Sequence, residues 1–398
     1  MPDAYPAPHG ATARRLEWPF LPPHLRAFIE RRCGSPVLEA ISQTSGFTPG
    51  FASVLVCADG TRHFVKAASV KAQRLFADSY REEARKLTAL PASVPAPRLL
   101  WHLDDDWVVL GIEHVAARAP RRPWEQEDLD ALLDALETCA DVLSPPPSEL
   151  VLDDAADDFA PLLDGWQGIH ETRNDLDPGP GHLAETEALA RRFAEVVAGD
   201  TLVHTDIRSD NVLIDAEGRA QICDWNWPVR GASWFDSFAA LIGPRGEGID
   251  VEQILATRRL LRDVEPEAFD INLALYVGYF FTQATLPVPP TSPHLRAHQR
   301  WQGEVCWSGC PSGGDGRERA EGGRRPHPVR RGACRRTRLG GCHPRLCCRG
   351  GARAGGWHVA GLCHPSRLCR WHTRLRQGGG HGPESGHARP VPSRVGRA

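Results

Sequence analysis

The stretch that decides the fold is Leu202-Val-His-Thr-Asp-Ile-Arg-Ser-Asp-Asn-Val-Leu-Ile214. Its polar centre contains Asp206 and Asn211, and an apolar run stands on each side of it. A second apolar run, Ala220-Gln-Ile-Cys-Asp224, follows and ends in an acid. Short apolar runs bounded by polar segments are typical of buried strands. The pattern therefore predicts a loop between two strands, to which a third strand returns with Asp224.

These side chains suit the chemistry of phosphoryl transfer. One carboxylate, here Asp206, can receive or orient the hydroxyl group that accepts the phosphate. An amide and a second carboxylate, here Asn211 and Asp224, can hold magnesium on the phosphate oxygens, because Mg²⁺ prefers oxygen ligands. The sequence therefore predicts a catalytic role for Asp206 and metal-ligating roles for Asn211 and Asp224.

Upstream of this loop, the sequence predicts an antiparallel sheet with one helix. Lys66 ends a strand-like run and is one of only three lysines in residues 1–307, where arginine is the usual cation. An Asp59-Gly60 turn before that run is typical of a hairpin. The predicted order is strand, strand, strand, helix, strand, strand, at residues 37–42, 51–57, 61–66, 71–90, 98–103 and 107–112.

Together these motifs resemble the aminoglycoside phosphotransferase family, which has a protein-kinase-like fold. In that family the catalytic loop reads His-Gly-Asp-Leu-x-x-x-Asn and is followed by an Ile-Asp or Val-Asp metal motif. The resemblance covers roughly residues 35–307. Its further elements are Phe64-Val-Lys66, Tyr80-Arg-Glu-Glu-Ala-Arg-Lys-Leu87, Val94-Pro-Ala-Pro-Arg98, Trp107-Val-Val-Leu-Gly-Ile-Glu-His-Val115 and Gly231-Ala-Ser-Trp-Phe-Asp-Ser-Phe238.

The resemblance implies an ATP site and names its residues. Lys66 would contact the phosphates, and Glu83 would position that lysine; counting back from the Val-Pro segment favours Glu83 over Glu82. A glycine-bearing loop with Ser45, Gly46 and Gly50 would cover the phosphates with backbone N–H groups. Glu113 and Val115, in the segment that resembles the inter-lobe hinge, are assigned to nucleotide binding. ATP and Mg²⁺ are the implied cofactors, and the implied partner is a small molecule that accepts phosphate on a hydroxyl group.

Three positions depart from the family pattern. The phosphate loop reads Ser45-Gly-Phe-Thr-Pro-Gly50 and not Gly-x-Gly-x-x-Gly. Asp224 is followed by Trp-Asn-Trp, so the glycine hinge of a protein-kinase Asp-Phe-Gly motif is absent. Trp225 and Trp227 are therefore predicted to hold Asp224 fixed. Arg208 occupies the place of the catalytic-loop lysine of protein kinases; it is assigned to the catalytic set, with a surface arginine as the alternative.

Two further residues are predicted to support the catalytic loop without taking part in the chemistry. His204 would brace the loop, as the corresponding histidine does in this fold. Asp236, an aspartate shortly after the metal motif in the sequence, would hold the backbone of the catalytic loop in place. Neither residue is expected to touch substrate.

The fold class predicted from these elements is α+β, with a bilobal protein-kinase-like arrangement. Residues 1–34 form an N-terminal extension with a short helix, of which the Pro- and Ala-rich residues 1–22 are expected to be frayed. Residues 35–112 form the smaller lobe, an antiparallel nucleotide-binding sheet with one helix. Residues 113–307 form the larger, mostly helical lobe, which carries the catalytic loop and binds the acceptor. Residues 308–398 are predicted to be a disordered basic tail.

The tail has a different composition from the rest of the chain. Residues 308–398 hold 19 of the 47 Lys and Arg residues but only four of the 50 acids, and they lack Ile, Phe and Tyr. Such a segment cannot bury enough apolar surface to offset the entropy of ordering. The missing residue types have A/T-rich codons, which favours a frameshifted reading of G/C-rich DNA from near Trp307. A genuine disordered basic tail is the alternative.

The leading functional hypothesis is an ATP-dependent phosphotransferase that acts on a small-molecule hydroxyl group. A non-catalytic, pseudokinase-like nucleotide-binding protein is the alternative, motivated by the tryptophans that flank Asp224. Binding of nucleic acid through the basic tail is a weaker hypothesis, because the whole chain has a net charge of only −3. Acidic stretches at 125–134 and 153–158 suit a cationic acceptor such as an aminoglycoside, and they suit a solvated face equally well.

Two observations bear on location. The chain contains no apolar run long enough for a membrane span, and its first residues lack the apolar segment of a secretory signal. The cysteines of residues 1–307 are scattered singly, as expected for buried, reduced thiols. We therefore expect a cytoplasmic protein, and the oligomeric state is left open.

Overall fold

The structure is a computed structural model that describes residues 12–45, 50–167, 169 and 182–311. The predicted loop residue Gly46 and the tail beyond residue 311 lie outside the described residues. Within them the chain has the predicted α+β architecture, with an antiparallel sheet followed by a mostly helical lobe.

The smaller lobe is built on an antiparallel sheet of five strands in the order β1-β2-β3-β5-β4. A helix, α2 (Arg74–Ala89), follows β3, which confirms the predicted order of strands and helix. Lys66 stands opposite Leu110 of β5, near the middle of the sheet. The strands are β1 (Val37–Ser42), β2 (Phe51–Cys57), β3 (Arg62–Ser69), β4 (Leu99–Asp104) and β5 (Trp107–Ile112).

Each face of this sheet is covered by one helix. Helix α1 (Pro23–Cys33) packs Leu25 and Ile29 into a cluster with alternate residues of the central strands, including Val65 and Val109. Helix α2 covers the opposite face, and its cluster is made of Ala77, Tyr80, Ala84, Ala68, Val108, Leu110 and Ile112. Because side chains alternate along a strand, Val65 faces α1 and Lys66 faces α2.

The expectation that residues 1–22 are frayed is wrong for residues 12–22. Leu21 is 1% exposed and belongs to the core under α1. A short 3-10 helix, Trp18–Phe20, places the Trp18 ring 6.1 Å from the ring of Phe51. Proline and alanine content predicted disorder, whereas the aromatic and leucine side chains of this segment supply enough apolar surface for packing.

Two cysteines of the smaller lobe are neighbours, although the sequence separates them. Cys33 ends α1 and Cys57 ends β2, and both side chains are buried. Burial, together with the contact to Cys57, raises the pKa of Cys33 to about 12. The Cys33 thiol is therefore protonated and unreactive at neutral pH.

The larger lobe is mostly helical, as predicted. Its central helix, α10, is buried along nearly its whole length, and α11 packs against it. The predicted domain boundary at residue 307 falls inside α11, where Gly309 and the following Cys310 are buried. The described helices are α3 (Gln126–Val142), α4 (Ala155–Phe159), α5 (His182–Ala190), α6 (Phe193–Val196), α7 (Phe235–Ala240), α8 (Ile242–Gly246), α9 (Val251–Thr257), α10 (Pro266–Ala284) and α11 (Leu295–Gly309), with a 3-10 helix at Ala160–Trp166.

Short strands at the junction of the lobes carry the polar motifs. One small sheet has the order β6-β8-β9, and another pairs β7 with β10. None of the helices in the described residues is long and apolar enough to cross a lipid bilayer. The strands are β6 (Ala117–Arg118), β7 (Thr201–Val203), β8 (Val212–Asp215), β9 (Ala220–Ile222) and β10 (Val229–Gly231).

Candidate active site

Strand pairing brings the two polar motifs together. Val212 of β8 pairs with Ile222 of β9, so the residue before β8 and the residues after β9 are neighbours. The Cys223 N–H donates to the Asn211 carbonyl oxygen at 2.8 Å. The Asn211 amide donates to the backbone oxygen of Asp206 at 2.9 Å and to its Oδ2 at 3.2 Å. Asp206, Asn211 and Asp224 therefore line one cavity, as the sequence predicts.

Asp236 holds the backbone of the catalytic loop. One of its carboxylate oxygens accepts from the His204 N–H at 2.6 Å and the other from the Thr205 N–H at 2.8 Å. Thr205 has φ 68°, which a β-branched residue rarely adopts, and its hydroxyl donates to the Trp227 carbonyl oxygen at 3.0 Å. These hydrogen bonds fix the backbone immediately before Asp206, which confirms the structural role predicted for Asp236.

His204 braces the loop through both ring nitrogens. Its Nδ1 accepts from the Asp206 N–H at 3.2 Å, so Nε2 carries the proton and donates to the Cys223 carbonyl oxygen at 2.8 Å. The imidazole thus links the catalytic loop to the strand that delivers Asp224. The edge of the Trp225 ring lies against it, with ring centroids 4.7 Å apart. The predicted bracing role of His204 is confirmed.

Trp225 fixes the metal motif from behind. Its side chain is 1% exposed, and its indole N–H donates to the Ile222 carbonyl oxygen at 2.8 Å. Asp224 itself has φ 63°, in the left-handed region that turns its carboxylate into the cavity. Asn226, two residues after Asp224, donates to the Ser79 hydroxyl of α2 at 2.8 Å and so ties this turn to the smaller lobe.

Lys66 lies between two carboxylates from different lobes. Its ammonium group is 2.8 and 3.0 Å from the oxygens of Glu83, and it also contacts Asp224. Glu83 lies on the buried face of α2, three residues after Tyr80, and is 1% exposed. Glu82 lies off that face and pairs instead with Arg85 and Lys86 of the same helix. Lys66 therefore pairs with the glutamate that the sequence favours.

The side chains of Lys66 and Glu83 are 8% and 1% exposed, whereas that of Asp224 is 38% exposed. Burial opposes the positive charge of Lys66, but Asp224 and Glu83 override it and raise the lysine pKa above its ordinary value. Burial raises the pKa of Glu83, against the attraction of Lys66. For Asp224, burial is outweighed by Lys66, and the pKa lies below its ordinary value. Lys66 and Asp224 are therefore charged at neutral pH.

Arg208 is not a surface arginine, so the alternative stated for it is wrong. Its side chain is 13% exposed. It bonds Asp206 directly and binds Asp210 with two hydrogen bonds of 2.9 Å each. Burial opposes its charge, but Asp206 and Asp210 raise the pKa of Arg208 further above its ordinary value. A fixed positive charge thus stands beside the carboxylate assigned to catalysis.

The cleft between the lobes has a volume of about 380 Å³. Ser45 lines it at the start of the glycine-bearing loop, and Glu113 and Val115 line it at the hinge. The carboxylate of Glu113 is paired with Arg98, at 3.0 Å. Gly50 is not among the lining residues of the cleft, and a Cβ at this position would lie 2.6 Å from the Tyr80 hydroxyl. Its place is in the packing at the base of the loop.

The acidic stretches of the larger lobe are largely paired with arginines. Arg118 and Arg121 both bind Asp128, and Arg258 binds Asp130 and Asp134. Asp154 of the second stretch pairs with Arg230. Because arginines already pair with these acids, the acidic stretches are better interpreted as a solvated surface than as a region that attracts a cationic acceptor.

Arg15 is a charged residue of the cleft that sequence reasoning did not single out. Arg15, from the N-terminal segment, lines the same cavity as Lys66 and Asp224. The segment has no apolar period and no motif, so the only signal was a pair of arginines, Arg14 and Arg15, before the apolar Leu16. Contacts of this kind over long sequence separations are visible only in the folded chain.

A family model and several solved structures match this chain. A model described as the phosphotransferase enzyme family matches residues 53–265. Among solved structures, an aminoglycoside phosphotransferase bound to ADP and hygromycin B is 15% identical, with a TM-score of 0.48 over 73% of this chain and 99% of that one. A choline kinase from Streptococcus pneumoniae is also 15% identical, with a TM-score of 0.48 over 72% of this chain and 99% of that one. A search of curated proteins found no match.

Proposed function

Since the chain belongs to the phosphotransferase enzyme family, a family of small-molecule kinases, we propose that it transfers the γ-phosphoryl group of ATP to a hydroxyl group of a small molecule. The observation that carries this proposal is the assembly of Lys66, Asp206, Asn211 and Asp224 around one cleft. The cleft volume of about 380 Å³ is within the range of ordinary ligand sites.

The lining of the cleft favours one orientation of a bound nucleotide. Apolar side chains such as Ile41, Val54 and Ile112 line one part of it and suit a flat base. Lys66 and Asp224 lie at the other part, where the phosphates would be bound. Lysine is a compact cation that suits phosphate oxygens, and Glu83 keeps its ammonium group in place. The hinge residues Glu113 and Val115 line the cleft and would lie beside the base.

A magnesium ion fits the donor atoms present. Asn211 and Asp224 provide an amide oxygen and a carboxylate, which are hard oxygen ligands on adjoining backbone. When bound, the ion would neutralise charge on the phosphate oxygens. Because Lys66 outweighs burial and holds the pKa of Asp224 below its ordinary value, this carboxylate is in the ionised form that a metal needs.

Asp206 is the residue that would receive the acceptor hydroxyl. Its backbone N–H is fixed by His204, and its side chain is held by Asn211 and Arg208. A carboxylate oriented in this way can accept the hydroxyl proton as the new phosphate ester bond forms. Arg208 would favour negative charge developing on the transferred group. Since ATP is the donor, we place the reaction in the cytoplasm.

The test is phosphorylation by the purified full-length chain. ADP release is followed with a panel of hydroxyl-bearing metabolites and antibiotics, and phosphate ester formation is checked by mass spectrometry. Slow hydrolysis of ATP by water provides a readout that needs no acceptor. Asp206→Asn should lower both activities by two orders of magnitude or more, with nearly unchanged ATP binding, because Asp206 would contact the acceptor.

Two results would contradict the proposal. One is an absence of magnesium-dependent ATP binding by the folded wild-type protein. The other is an Asp206→Asn variant that turns over as fast as the wild type. The matched control is Asp210→Asn, which removes a partner of Arg208 while leaving the Asp206 carboxylate in place.

A further inference from the structure

Three side chains that can bind a metal ion meet in the smaller lobe. Cys33 ends α1, Cys57 ends β2, and His63 is the second residue of β3. The two sulfur atoms and one imidazole nitrogen all lie within 4.8 Å of one another. Cys33 and Cys57 are 8% and 2% exposed, and His63 is half-buried. The group is separate from the nucleotide cleft, because none of its three members lines that cavity.

The backbone holds these three positions together. The Cys57 N–H donates to the Thr61 carbonyl oxygen at 2.9 Å and closes the hairpin between β2 and β3. The Ala58 N–H donates to the Pro36 carbonyl oxygen at 2.9 Å, which ties the hairpin to the chain that follows α1. Because side chains alternate along a strand, His63 shares the α1 face of the sheet with Val65.

The imidazole of His63 is oriented by the hairpin turn. The Thr61 hydroxyl donates to the Asp59 carboxylate at 2.7 Å and lies 3.1 Å from His63 Nε2. The same carboxylate accepts from the Thr61 N–H at 3.0 Å. Histidines that bind metals are typically oriented by such outer hydrogen bonds, so the ring is held in a way that suits a ligand.

The donor atoms select the kind of ion. Two thiolates and one imidazole are ligands of zinc, whereas calcium and magnesium take oxygen ligands. Zinc bonds sulfur at about 2.3 Å and nitrogen at about 2.0–2.1 Å, so the ligand atoms of a tetrahedral site lie roughly 3.5–3.8 Å apart. Since the three atoms already lie within 4.8 Å of one another, shifts on the order of 1 Å would complete the geometry.

Binding of the ion would ionise both thiols. Without a metal, burial and Cys57, together with the carboxylates of Glu30 and Asp59, raise the pKa of Cys33. A bound zinc ion reverses this preference, because a coordinating thiol is deprotonated, and the two thiol protons pass to the solvent. The carboxylates of Glu30 and Asp59, which disfavour a thiolate alone, would favour the cation.

We propose that Cys33, Cys57 and His63 form a structural zinc site that joins the end of α1 to the β2–β3 hairpin, with a water molecule as the fourth ligand. The ion would stabilise the folded state, because its three protein ligands are brought together only there. The inference does not depend on the proposed function, since the site lies on the face of the sheet opposite to Lys66.

The test is zinc binding by the full-length chain under reducing conditions. Zinc is titrated against a chromophoric chelator, and Co²⁺ is used as a spectroscopic probe, because thiolate ligands give it charge-transfer absorption. The parent protein should bind one equivalent of zinc at this site, and its Tm should rise with zinc concentration. So that cysteines beyond residue 311 do not compete for the ion, this parent carries Cys334→Ser, Cys342→Ser, Cys347→Ser, Cys348→Ser, Cys363→Ser and Cys369→Ser.

Three variants of this parent remove one ligand each. Cys33→Ala and Cys57→Ala should each weaken zinc binding on the order of 100-fold or more and abolish the charge-transfer absorption typical of two thiolates. His63→Ala should also weaken binding, and because His63 is only half-buried, it tests the site even if a cysteine variant fails to fold. Cys139→Ala is the matched control, since Cys139 is a buried cysteine of α3; it should bind zinc like the parent.

Three results would overturn the inference. One is a folded parent that takes up no zinc. Another is equal zinc affinity of the parent and the three ligand variants, which would place the ion elsewhere. The third is a parent that binds no zinc when reduced but forms a Cys33–Cys57 disulfide with a mild oxidant, which would identify a redox-active thiol pair and not a metal site. Thermal melts of each protein would show whether it is folded.

Discussion

Replacing Asp236 by asparagine should uncouple the catalytic loop from its support. In the wild type the carboxylate accepts two backbone N–H groups, from His204 and Thr205, at 2.6 and 2.8 Å. An amide side chain has one acceptor oxygen, so Asp236→Asn can satisfy one of these groups and must leave the other facing an NH₂ group. Asp236 is 7% exposed, so water cannot easily replace the lost acceptor.

The size of the effect follows from these contacts. A buried N–H group without a partner costs about 1–3 kcal/mol, and the remaining hydrogen bond loses its ionic character, at about 1 kcal/mol. We therefore expect the free energy of unfolding to fall by about 2–4 kcal/mol. The strained backbone of Thr205, with φ 68°, persists only where its surroundings hold it. Its relaxation would displace the next residue, Asp206, so turnover should fall at least tenfold while ATP affinity stays similar.

The assay combines urea unfolding with steady-state kinetics. Ser237→Ala is the matched control, because Ser237 is the next residue of the same helix, is 2% exposed, and has no hydrogen-bond partner for its hydroxyl among the described residues. It should change stability and turnover little. A Thr205→Gly change, which removes the backbone strain, should be less harmful in the Asp236→Asn background than in the wild type. Equal stability of Asp236→Asn and the wild type would refute the reasoning, as would strictly additive effects of the two changes.

Three further predictions concern the charged cluster. Asn211→Ala and Asp224→Asn should each raise the magnesium concentration needed for half-maximal ATP binding, and a titration identical to the wild type in both variants would place the metal elsewhere. Glu83→Ala should lower kcat/KM for ATP at least tenfold through misplacement of Lys66, whereas Glu82→Ala should leave it unchanged; the reverse result would contradict the observed pairing. Burial raises the pKa of Glu83 from 4.5 to about 7. Between these two pH values, the Glu83 carboxyl group is protonated in the folded state and ionised in the unfolded chain. The stability contributed by this group should therefore be full below pH 4.5 and decrease as the pH rises to about 7. A difference in unfolding free energy between the wild type and Glu83→Gln that does not change over this range would disprove the assignment.

Local patterns carried enough information to predict the centre of the site. Asp206, Asn211 and Asp224 occur within one short stretch, and the pairing of two short strands is sufficient to bring them together. The choice of Glu83 over Glu82 could also be predicted, by counting back from the Val-Pro segment at residues 94–98 in the pattern that resembles the family. Such features depend on motif spacing and on short loops, and both are visible in the sequence.

Contacts over long sequence separations were beyond this reasoning. Arg15 reaches the cleft only because Thr44 and Thr291 hold its segment between the lobes, and nothing in the surrounding sequence marks those two residues. The sequence also left open whether Arg208 is a surface residue, because a loop has no periodic pattern that would show its side chain directed at Asp206 and Asp210. Composition was a poor guide to residues 12–22, where a few apolar side chains outweigh the prolines and alanines.

The indole of Trp225 has a consequence for inhibitor design. To swing Asp224 out of the cleft, the protein would have to withdraw a side chain that is 1% exposed and break its hydrogen bond to Ile222. Removing such a ring from a core costs about 3–5 kcal/mol, so a rotated form would be populated by no more than roughly one molecule in a hundred. Compounds that gain selectivity by binding an inactive form with a rotated metal motif would bind this protein weakly, because so few molecules adopt that form. Inhibitors of this protein would have to compete with the nucleotide for the cleft in its prevailing conformation. The apparent nucleotide affinity is not reduced by a second, non-binding conformation.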